Sequence, residues 1–563
     1  MKTKSLLLSM VLTLPGIGVQ AQNLNKIKPE WLKQAIFYQI YPPSFQDSNG
    51  DGIGDIPGII SRLDYVKSLG ANVIWLNPLF SSAFQDGGYD IIDFYTVDKR
   101  YGSNSDLVEL VNEAHKRDIR ICLDLVAGHT SDKCPWFIQS QQANKDLQYS
   151  DYYIWPSFVP KNIDKKSAEK YISSNAPREK YYIKNYYACQ PALNYGYANP
   201  DPAHPWEQSM DAPGPQAVRR ELKNIIAFWM DKGVDGFRVD MAMSLVKNDP
   251  DKSGTMKLWK EMKEWFVGKY PEGVLIAEWF NPAEAIAGGG FNIDFIAHAE
   301  RDNYKSLFFN RNGGKSSICY FEKEGRGELK TFMEMYMRQY QAVKGKGYAS
   351  LPTGNHDFQR LNCDGRNTLP QLKVAMTFFL TMPGAPFIYY GDEIGMRFLT
   401  GLKDVEGSRP HRTGTRTPMQ WDNSINAGFS TADASRLYIP QDPDPNRPTV
   451  ANGENNPNSM LHYVRTLLKL RVSSEALGND GDWKMISDLD APYPMVYMRS
   501  TGDEKFLIAL NPTEKAVTAS FPSLRCKSTE IVLGDSSKAK FMTDNKTDKI
   551  RIKPISAVIY KVE

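Results

Sequence analysis

Apolar runs of strand length recur along most of this chain, with amphipathic helical stretches between them, and this alternation constrains the fold more than any other feature. The runs cover residues 35–41, 72–77, 120–126, 236–242, 274–279, 293–297, 348–353 and 386–390. Residues 105–116, 215–232, 257–269, 328–343 and 369–380 carry apolar side chains at helical spacing, as Leu222, Ile225, Ile226 and Trp229 show. Strands that alternate with helices form parallel sheets, because a parallel connection needs a crossover long enough to hold a helix. Eight such units close a (β/α)8, or TIM, barrel. The chain is 563 residues long, which exceeds a bare barrel. The surplus falls in two places. Residues 129–206, after the third strand, are polar and Tyr-rich, and a connection of that length is a lid or a small domain. Beyond a last helix at 459–470, short alternating runs at 495–499, 505–510, 516–521, 530–533, 550–552 and 557–562 predict an all-β sandwich. The expected organisation is a barrel over 22–128 and 207–475, an inserted domain over 129–206 and a C-terminal β-sandwich over 476–563.

The chemistry collects at strand ends. The fourth run contains Arg238 and Asp240 on one face of an otherwise apolar strand. Burying that pair is costly unless the two charges satisfy each other or serve a ligand. Taken alone, they read equally well as a structural ion pair. They are not alone: Asp124 and His129 follow the third strand, Glu278 ends the fifth, His356 and Asp357 follow the seventh, and Asp90 lies in the loop after the second. In a β/α barrel all of these fall on the active face. Carboxylates gathered there would repel one another, whereas a polyhydroxylated substrate gives them partners.

The charge balance, 68 basic against 65 acidic residues, points to neither nucleic acid nor an anionic membrane. Residues 1–21 have the pattern of a secretory signal: Lys2 and Lys4, an apolar run over 6–14, and Val19-Gln20-Ala21 as a cleavage site. They predict export to the periplasm or the medium with a mature start near Gln22. An uncleaved anchor is the alternative, which the short run disfavours. No cysteine follows the run to carry a lipid, and no later run is long enough to insert in a membrane. Of six cysteines, Cys122 reads as a buried thiol, while Cys134 and Cys189 share the insertion without their spacing deciding whether they pair. None has zinc-ligand spacing. A metal loop is legible at residues 47–55. Asp47, Asn49, Asp51, the Ile53 carbonyl and Asp55 place oxygen donors at alternating positions, as a Ca2+ loop does. Gly58 stands where the usual twelfth-position glutamate would be. An Asx-rich turn without an ion is the alternative reading, and Mg2+ the lesser metal.

The ordered set of motifs resembles the α-amylase superfamily of glycoside hydrolases, family 13. Asp124-Leu-Val-Ala-Gly-His129, Gly236-Phe-Arg-Val-Asp240, Ile276-Ala-Glu278 and Asn355-His-Asp357 resemble its four conserved regions in order. Within the family, Gln39-Ile-Tyr-Pro42, Gln190-Pro-Ala-Leu-Asn194 and Arg416-Thr-Pro-Met-Gln-Trp421 are most similar to the oligo-1,6-glucosidase, α-glucosidase and trehalose synthase group. The resemblance implies Asp240 as nucleophile, Glu278 as acid and base, and Asp357 as the grip on ring hydroxyls. It implies that Arg238 keeps Asp240 ionised and that the apolar setting of Glu278 keeps it protonated. His129, His356 and Asp90 would contact the same sugar, Tyr89 would stack on it, and Arg360 would close the pocket. The oligomeric state is left open.

Departures from the family pattern bear on specificity. Gly128 replaces an asparagine that ligates an interdomain calcium in many amylases. Ala192 replaces an acid, and Met241 follows the nucleophile where relatives tend to have Val or Ala. Met243-Ser244 replace the Lys-His pair of endo-acting enzymes. The insertion and the charged stretch 403–416 would cover the barrel mouth, which favours exo-action on short α-glucosides. The alternatives are a transferase or isomerase of the trehalose synthase kind, an endo-acting amylase, and a non-catalytic sugar-binding barrel.

Overall fold

The computed structural model describes residues 28–297, 302–308, 318–363, 365–408, 410–544 and 546–563; the expected leader, residues 1–21, lies outside them. Eight strands are β1 (Phe37–Ile40), β2 (Val73–Leu76), β3 (Arg120–Leu125), β4 (Gly236–Val239), β5 (Val274–Ala277), β6 (Ile293–Phe295), β7 (Tyr348–Ser350) and β8 (Phe387–Tyr389). They form one sheet in the order β7-β6-β5-β4-β3-β2-β1-β8, and the pairings are parallel. The ring closes just past the end of β7. Pro352 bridges to Phe387 in parallel, and the Thr353 N–H donates to the Phe387 carbonyl at 3.0 Å. Nearly every strand residue is buried, which is why these strands read as continuous apolar runs. Inside the barrel, Phe37 stacks on Phe387 at 4.2 Å and Trp75 on Phe295 at 5.8 Å.

The helices that wrap the barrel follow their sequence signals. Ser103 and Asp106 make a reciprocal capping box at the start of Asn104–His115. The helix Pro213–Met230 buries Leu222, Ile225, Ile226 and Trp229 against the barrel, each aliphatic member contributing about 1.5–3 kcal/mol. It stops ahead of Gly233, whose φ of 96° turns the chain into β4. Strands end earlier than the apolar runs that predicted them. The run 236–242 is a strand only over Gly236–Val239; the Asp240 N–H makes a last bond to the Leu125 carbonyl at 2.9 Å, and the chain turns at Met241.

The insertion contains a hairpin, Tyr171–Ser173 with Tyr181–Ile183, and a small core of Ile154, Ile183, Ala192, Tyr197 and Trp206. Cys134 and Cys189 are both free thiols. The C-terminal region is a two-sheet antiparallel structure, with Val496, Leu507 and Ala509 of one sheet packed on Phe521, Ile550 and Ile552 of the other. Two of its strands, Asp482–Met485 and Ala539–Thr543, carried no readable pattern. Both are edge strands; the first buries only Trp483 and the second buries no residue, so neither has an apolar period. A third unpredicted pairing, Phe80–Ser82 with Ile91–Val97, follows β2 and holds the loop 83–90 over the mouth. Among the described residues no helix is long and apolar enough to cross a membrane.

Candidate active site

One guanidinium organises the mouth of the barrel. Arg238 lies on β4 in register with Asp124 of β3 and Ile276 of β5. Its Nη1 donates to Asp124 at 2.8 Å and to Asp240 at 3.1 Å, and its Nη2 meets Glu278 at 2.8 Å. All four side chains are nearly or wholly buried. One cation therefore serves three carboxyls, and it does not neutralise them. Burial raises Asp240 to about 7, with Arg238 opposing and Asp124, Asp357 and Asp86 adding to the rise. Arg238 lowers this group as expected, but desolvation and the neighbouring acids outweigh it, so the net shift is upward. Burial lifts Glu278 further, to about 8, again against Arg238. Its setting is not purely apolar, since the Met241 N–H also donates to Glu278 Oε2 at 2.7 Å. Met241 has φ 42°, a left-handed conformation costing about 1–3 kcal/mol that its two flanking bonds to Glu278 help hold.

Asp357 stands opposite. Arg412 Nε lies 3.0 Å from its Oδ1 and Arg416 Nη2 3.4 Å from it. Burial alone would raise this carboxyl, but Arg412 and Arg416 overcome it and hold it well below the usual carboxylate range. Its neighbour His356 is neutral, because burial lowers it well below its ordinary value. The Gln39 and Asn77 amides lie 3.0 and 3.2 Å from His356 Nδ1, which places the proton on Nε2. That nitrogen lies 2.7 Å from the Tyr89 hydroxyl, which in turn donates to Asp124 Oδ2 at 3.0 Å. Tyr89 stacks on the His356 ring at 5.4 Å. Trp75 Nε1 completes the Asp124 shell at 3.2 Å. The network runs without a break from Gln39 to Arg238.

Two expected sugar contacts are corrected. Asp90 is fully buried, and its carboxylate accepts from Ser82 Oγ, from the Gln85 N–H and from the Asp86 N–H, each at about 3 Å. It shapes the loop and does not reach the mouth. Asp86, four residues earlier, does: its Oδ1 lies 3.2 Å from Arg412 Nη1, its Oδ2 accepts from Gln190 at 2.8 Å, and burial raises it to about 6. Arg360 is also fully buried. It donates to the Tyr390 carbonyl at 2.6 Å and to Asp392 at 3.1 Å, between the Tyr389 and Tyr390 rings. Arg412 and Arg416, from the stretch 403–416, occupy the place expected for it. That stretch packs on the loop after β2: the Gly87 N–H donates to the Glu406 carbonyl at 3.0 Å. A Cβ at Gly407 would stand 1.9 Å from the Gln85 carbonyl oxygen, so the approach requires glycine.

His129 is held by protein on both sides, with Nε2 3.0 Å from the Tyr89 carbonyl and Nδ1 accepting from Asn185 at 3.1 Å; burial lowers it to about 4. Asn185 comes from the insertion and explains Gly128, because a Cβ there would lie 2.6 Å from its amide nitrogen. Lys247 puts its ammonium on the Ser244 carbonyl at 2.7 Å, within electrostatic reach of His129. Burial lowers Lys247 itself to about 7. In the loop 47–55 the acceptors turn on their own backbone. Asp47 takes the Asn49, Gly50 and Gly52 N–H groups, Asn49 takes that of Asp51, and Asp51 takes that of Ile53. Asp55 caps the helix Ile56–Ser61 and accepts from Ser48. Among the described residues no three carboxyl, imidazole or thiol groups converge as a metal-ligand set.

Comparison with known proteins agrees with this geometry. The catalytic-domain family "Alpha amylase" matches residues 39–480. The chain is 33% identical to an oligo-1,6-glucosidase of Parageobacillus thermoglucosidasius, over 94% of this chain and 99% of the relative. Among solved structures it is similar to a substituted isomaltulose synthase from Erwinia rhapontici NX5 in complex with D-glucose, at 27% identity and TM-score 0.77 over 96% of this chain and 100% of that one. It is also similar to a trehalulose synthase from Pseudomonas mesoacidophila MX-45, at 28% identity and TM-score 0.76 over 95% and 99%. An eightfold parallel barrel with carboxyls around one arginine at its mouth, and a family match across most of its length, make this chain a member of the α-amylase family, a glycoside hydrolase and transglycosylase family acting on O-glycosyl bonds.

Proposed function

We propose that the protein is an exported, retaining α-glucosidase of short oligosaccharides. The observation that carries the reading is that Asp240 and Glu278 sit on the two terminal nitrogens of one guanidinium. Such an arrangement keeps two carboxyls close together. That suits the spacing of about 5 Å used in retention, rather than the wider gap of about 6.5–9.5 Å that admits a water for inversion. Asp240 attacks the anomeric carbon while Glu278, the group lifted higher, protonates the leaving oxygen. A glycosyl ester on Asp240 results, and the leaving sugar departs with the proton of Glu278. Glu278, now ionised, takes a proton from water, which attacks the same carbon and frees Asp240. Asp357, held ionised by Arg412 and Arg416, grips ring hydroxyls and strengthens its hold as positive charge develops on the ring. His356 and Tyr89 line the same subsite as a stacked, hydrogen-bonded wall, and His129 stands behind them on the Tyr89 carbonyl.

The Asp86–Arg412–Asp357 chain supports exo-action. It ties the loop after β2 to the stretch after β8 and closes one end of the pocket. A second reading, transfer or isomerisation, is favoured by the likeness to isomaltulose and trehalulose synthases. It shares the first half of the mechanism and differs in the attacking nucleophile. Product analysis on maltose, isomaltose, trehalose, sucrose and starch separates these readings. Free glucose from maltose or isomaltose is the expected result. Isomeric disaccharides from sucrose would replace hydrolysis by isomerisation, and rapid thinning of starch would replace exo- by endo-action.

Export rests on the pattern of residues 1–21, and a secreted protein beginning at Gln22 is the expected product. The loop 47–55 is further proposed to hold Ca2+. Its support is the order of its oxygen donors and two left-handed glycines, Gly50 and Gly52, that let the loop curl. Asp51 Oδ1 and Asp55 Oδ1 each accept one N–H and keep a second lone pair for a cation, whereas each Asp47 oxygen accepts two hydrogen bonds and would give one up to the ion. Asp47, Asn49, Asp51, the Ile53 carbonyl and Asp55 would be the ligands, with a stabilising and not a chemical role.

A further inference from the structure

Asp294 is fully buried on β6, one strand away from Glu278, and its carboxylate is taken up by backbone. The N–H groups of Trp279 and Phe280 donate to Oδ1 at 3.0 and 3.2 Å, and that of Asn281 donates to Oδ2 at 2.8 Å. These are the three residues that follow Glu278. The β5–β6 ladder ends at the pair Asp294–Ala277, so the amides beyond Ala277 meet no carbonyl in register on β6. The Asp294 side chain continues the ladder in place of backbone. Within the turn it grips, Phe280 has φ 62°, a left-handed conformation that an aromatic residue keeps only where its surroundings impose it. On the other side Glu278 is fixed by β4 and the turn after it: its N–H donates to the Val239 carbonyl at 3.0 Å, and its carbonyl accepts from Ala242 at 3.1 Å.

We propose that Asp294 is a positioning residue for the acid: by clamping the turn 279–281 it sets where the Glu278 carboxyl points, without itself touching substrate. This rests on the reading of Glu278 as the acid. The test compares Asp294→Asn with Glu278→Gln on two substrates, isomaltose and α-glucosyl fluoride. The first needs its leaving group protonated and the second needs little help. Asparagine offers one carbonyl oxygen and turns an N–H2 donor toward at least one of the three N–H groups, so the clamp loses one bond or more and gains a donor–donor clash while the volume is kept. For Asp294→Asn, kcat/KM on isomaltose should fall about 10- to 100-fold, a part of the 10²–10⁴ that a positioned acid supplies. On the fluoride it should fall less than about threefold, since that step does not draw on the acid. Azide should raise turnover of the fluoride and yield glucosyl azide, because the glycosyl-enzyme waits for a base that is misplaced. A purely structural lesion lowers both substrates together and is not rescued by azide.

Glu278→Gln should show the same selectivity more strongly. If it loses both substrates equally, the acid assignment fails. If Glu278→Gln is selective and Asp294→Asn is not, or Asp294→Asn keeps isomaltose activity, the positioning role alone is overturned. Should Asp294→Asn fail to fold, Asp294→Asn with Phe280→Gly removes the left-handed penalty. The same selective loss is expected there, and an equal loss on both substrates again overturns the proposal.

Discussion

Removing the Arg412 guanidinium tests how the far end of the pocket works. Arg412 bonds Asp357 at 3.0 Å and Asp86 at 3.2 Å, with its side chain 14% exposed. Truncating one partner of a buried, hydrogen-bonded charge pair in a binding site costs about 2–5 kcal/mol of binding free energy, much of it from the charge left unpaired. Two features reduce that figure here. Asp357 keeps Arg416 at 3.4 Å, and its own side chain is 27% exposed. We therefore expect Arg412→Ala to lose about 2–3 kcal/mol of transition-state stabilisation, or about 30- to 150-fold in kcat/KM at 1.36 kcal/mol per decade. Arg412 is the largest of the influences that hold Asp357 ionised, and without it two carboxylates face each other across the pocket end. The loss should appear in kcat as well as KM, since Asp357 is read as binding the charged ring more tightly than the substrate. Steady-state kinetics on isomaltose, with a thermal melt to confirm folding, measures it. A folded Arg412→Ala enzyme within threefold of the parent would refute the assignment of this end of the pocket.

The two acids of the loop 83–90 should separate cleanly. Asp86→Asn should lower kcat/KM at least about tenfold, the scale of one lost charged hydrogen bond, while leaving the melt unchanged. Asp90→Asn should instead destabilise by about 1–3 kcal/mol with kcat/KM little altered, because it removes an acceptor from buried donors. The reverse pattern would restore Asp90 to the sugar. The pH profile of kcat/KM should be bell-shaped. Asp240, raised to about 7, must be ionised, so activity falls as pH drops through its titration; Glu278, raised to about 8, must be protonated, so activity falls as pH climbs through its own. The two apparent values belong to the pair, and a profile flat across neutrality contradicts the scheme. In Asp86→Asn the acid limb should move to lower pH, since a charge that raises Asp240 is gone. Chelation should lower the melting temperature if loop 47–55 holds calcium, as binding to the folded state alone contributes about 2.7 kcal/mol at a hundredfold excess over Kd. An unchanged melt after verified metal removal argues for the Asx-turn reading.

The barrel was legible because parallel strands are buried on both faces and so appear as unbroken apolar runs, and because its polar residues cluster where those runs end. Arg238, Asp240 and Glu278 stood out for that reason. What stayed hidden depended on loops. Asp86 and Asp90 flank the same Gly87-Gly88-Tyr89 and are chemically identical; only the curl that puts the Gln85 and Asp86 amides on Asp90 decides which one is spent. Arg412 and Arg416 sit in a charged stretch that resembles a solvated loop until it docks on Asp357. Arg360 carries the right charge near the right motif, but Asp392 and the Tyr390 carbonyl claim it first. The edge strands Asp482–Met485 and Ala539–Thr543 escaped because strands with one or no buried residue have no period to read.

The central claim is a double displacement through Asp240, and the configuration of the first product tests it most directly. Two displacements at one carbon restore its configuration, whereas a single attack by water inverts it. Proton NMR of isomaltose hydrolysis, recorded faster than mutarotation, should show α-glucose released first from the non-reducing end, with the β anomer growing in later. Initial β-glucose would contradict the account, because it would mean that Asp240 and Glu278 do not work as nucleophile and acid on one bond.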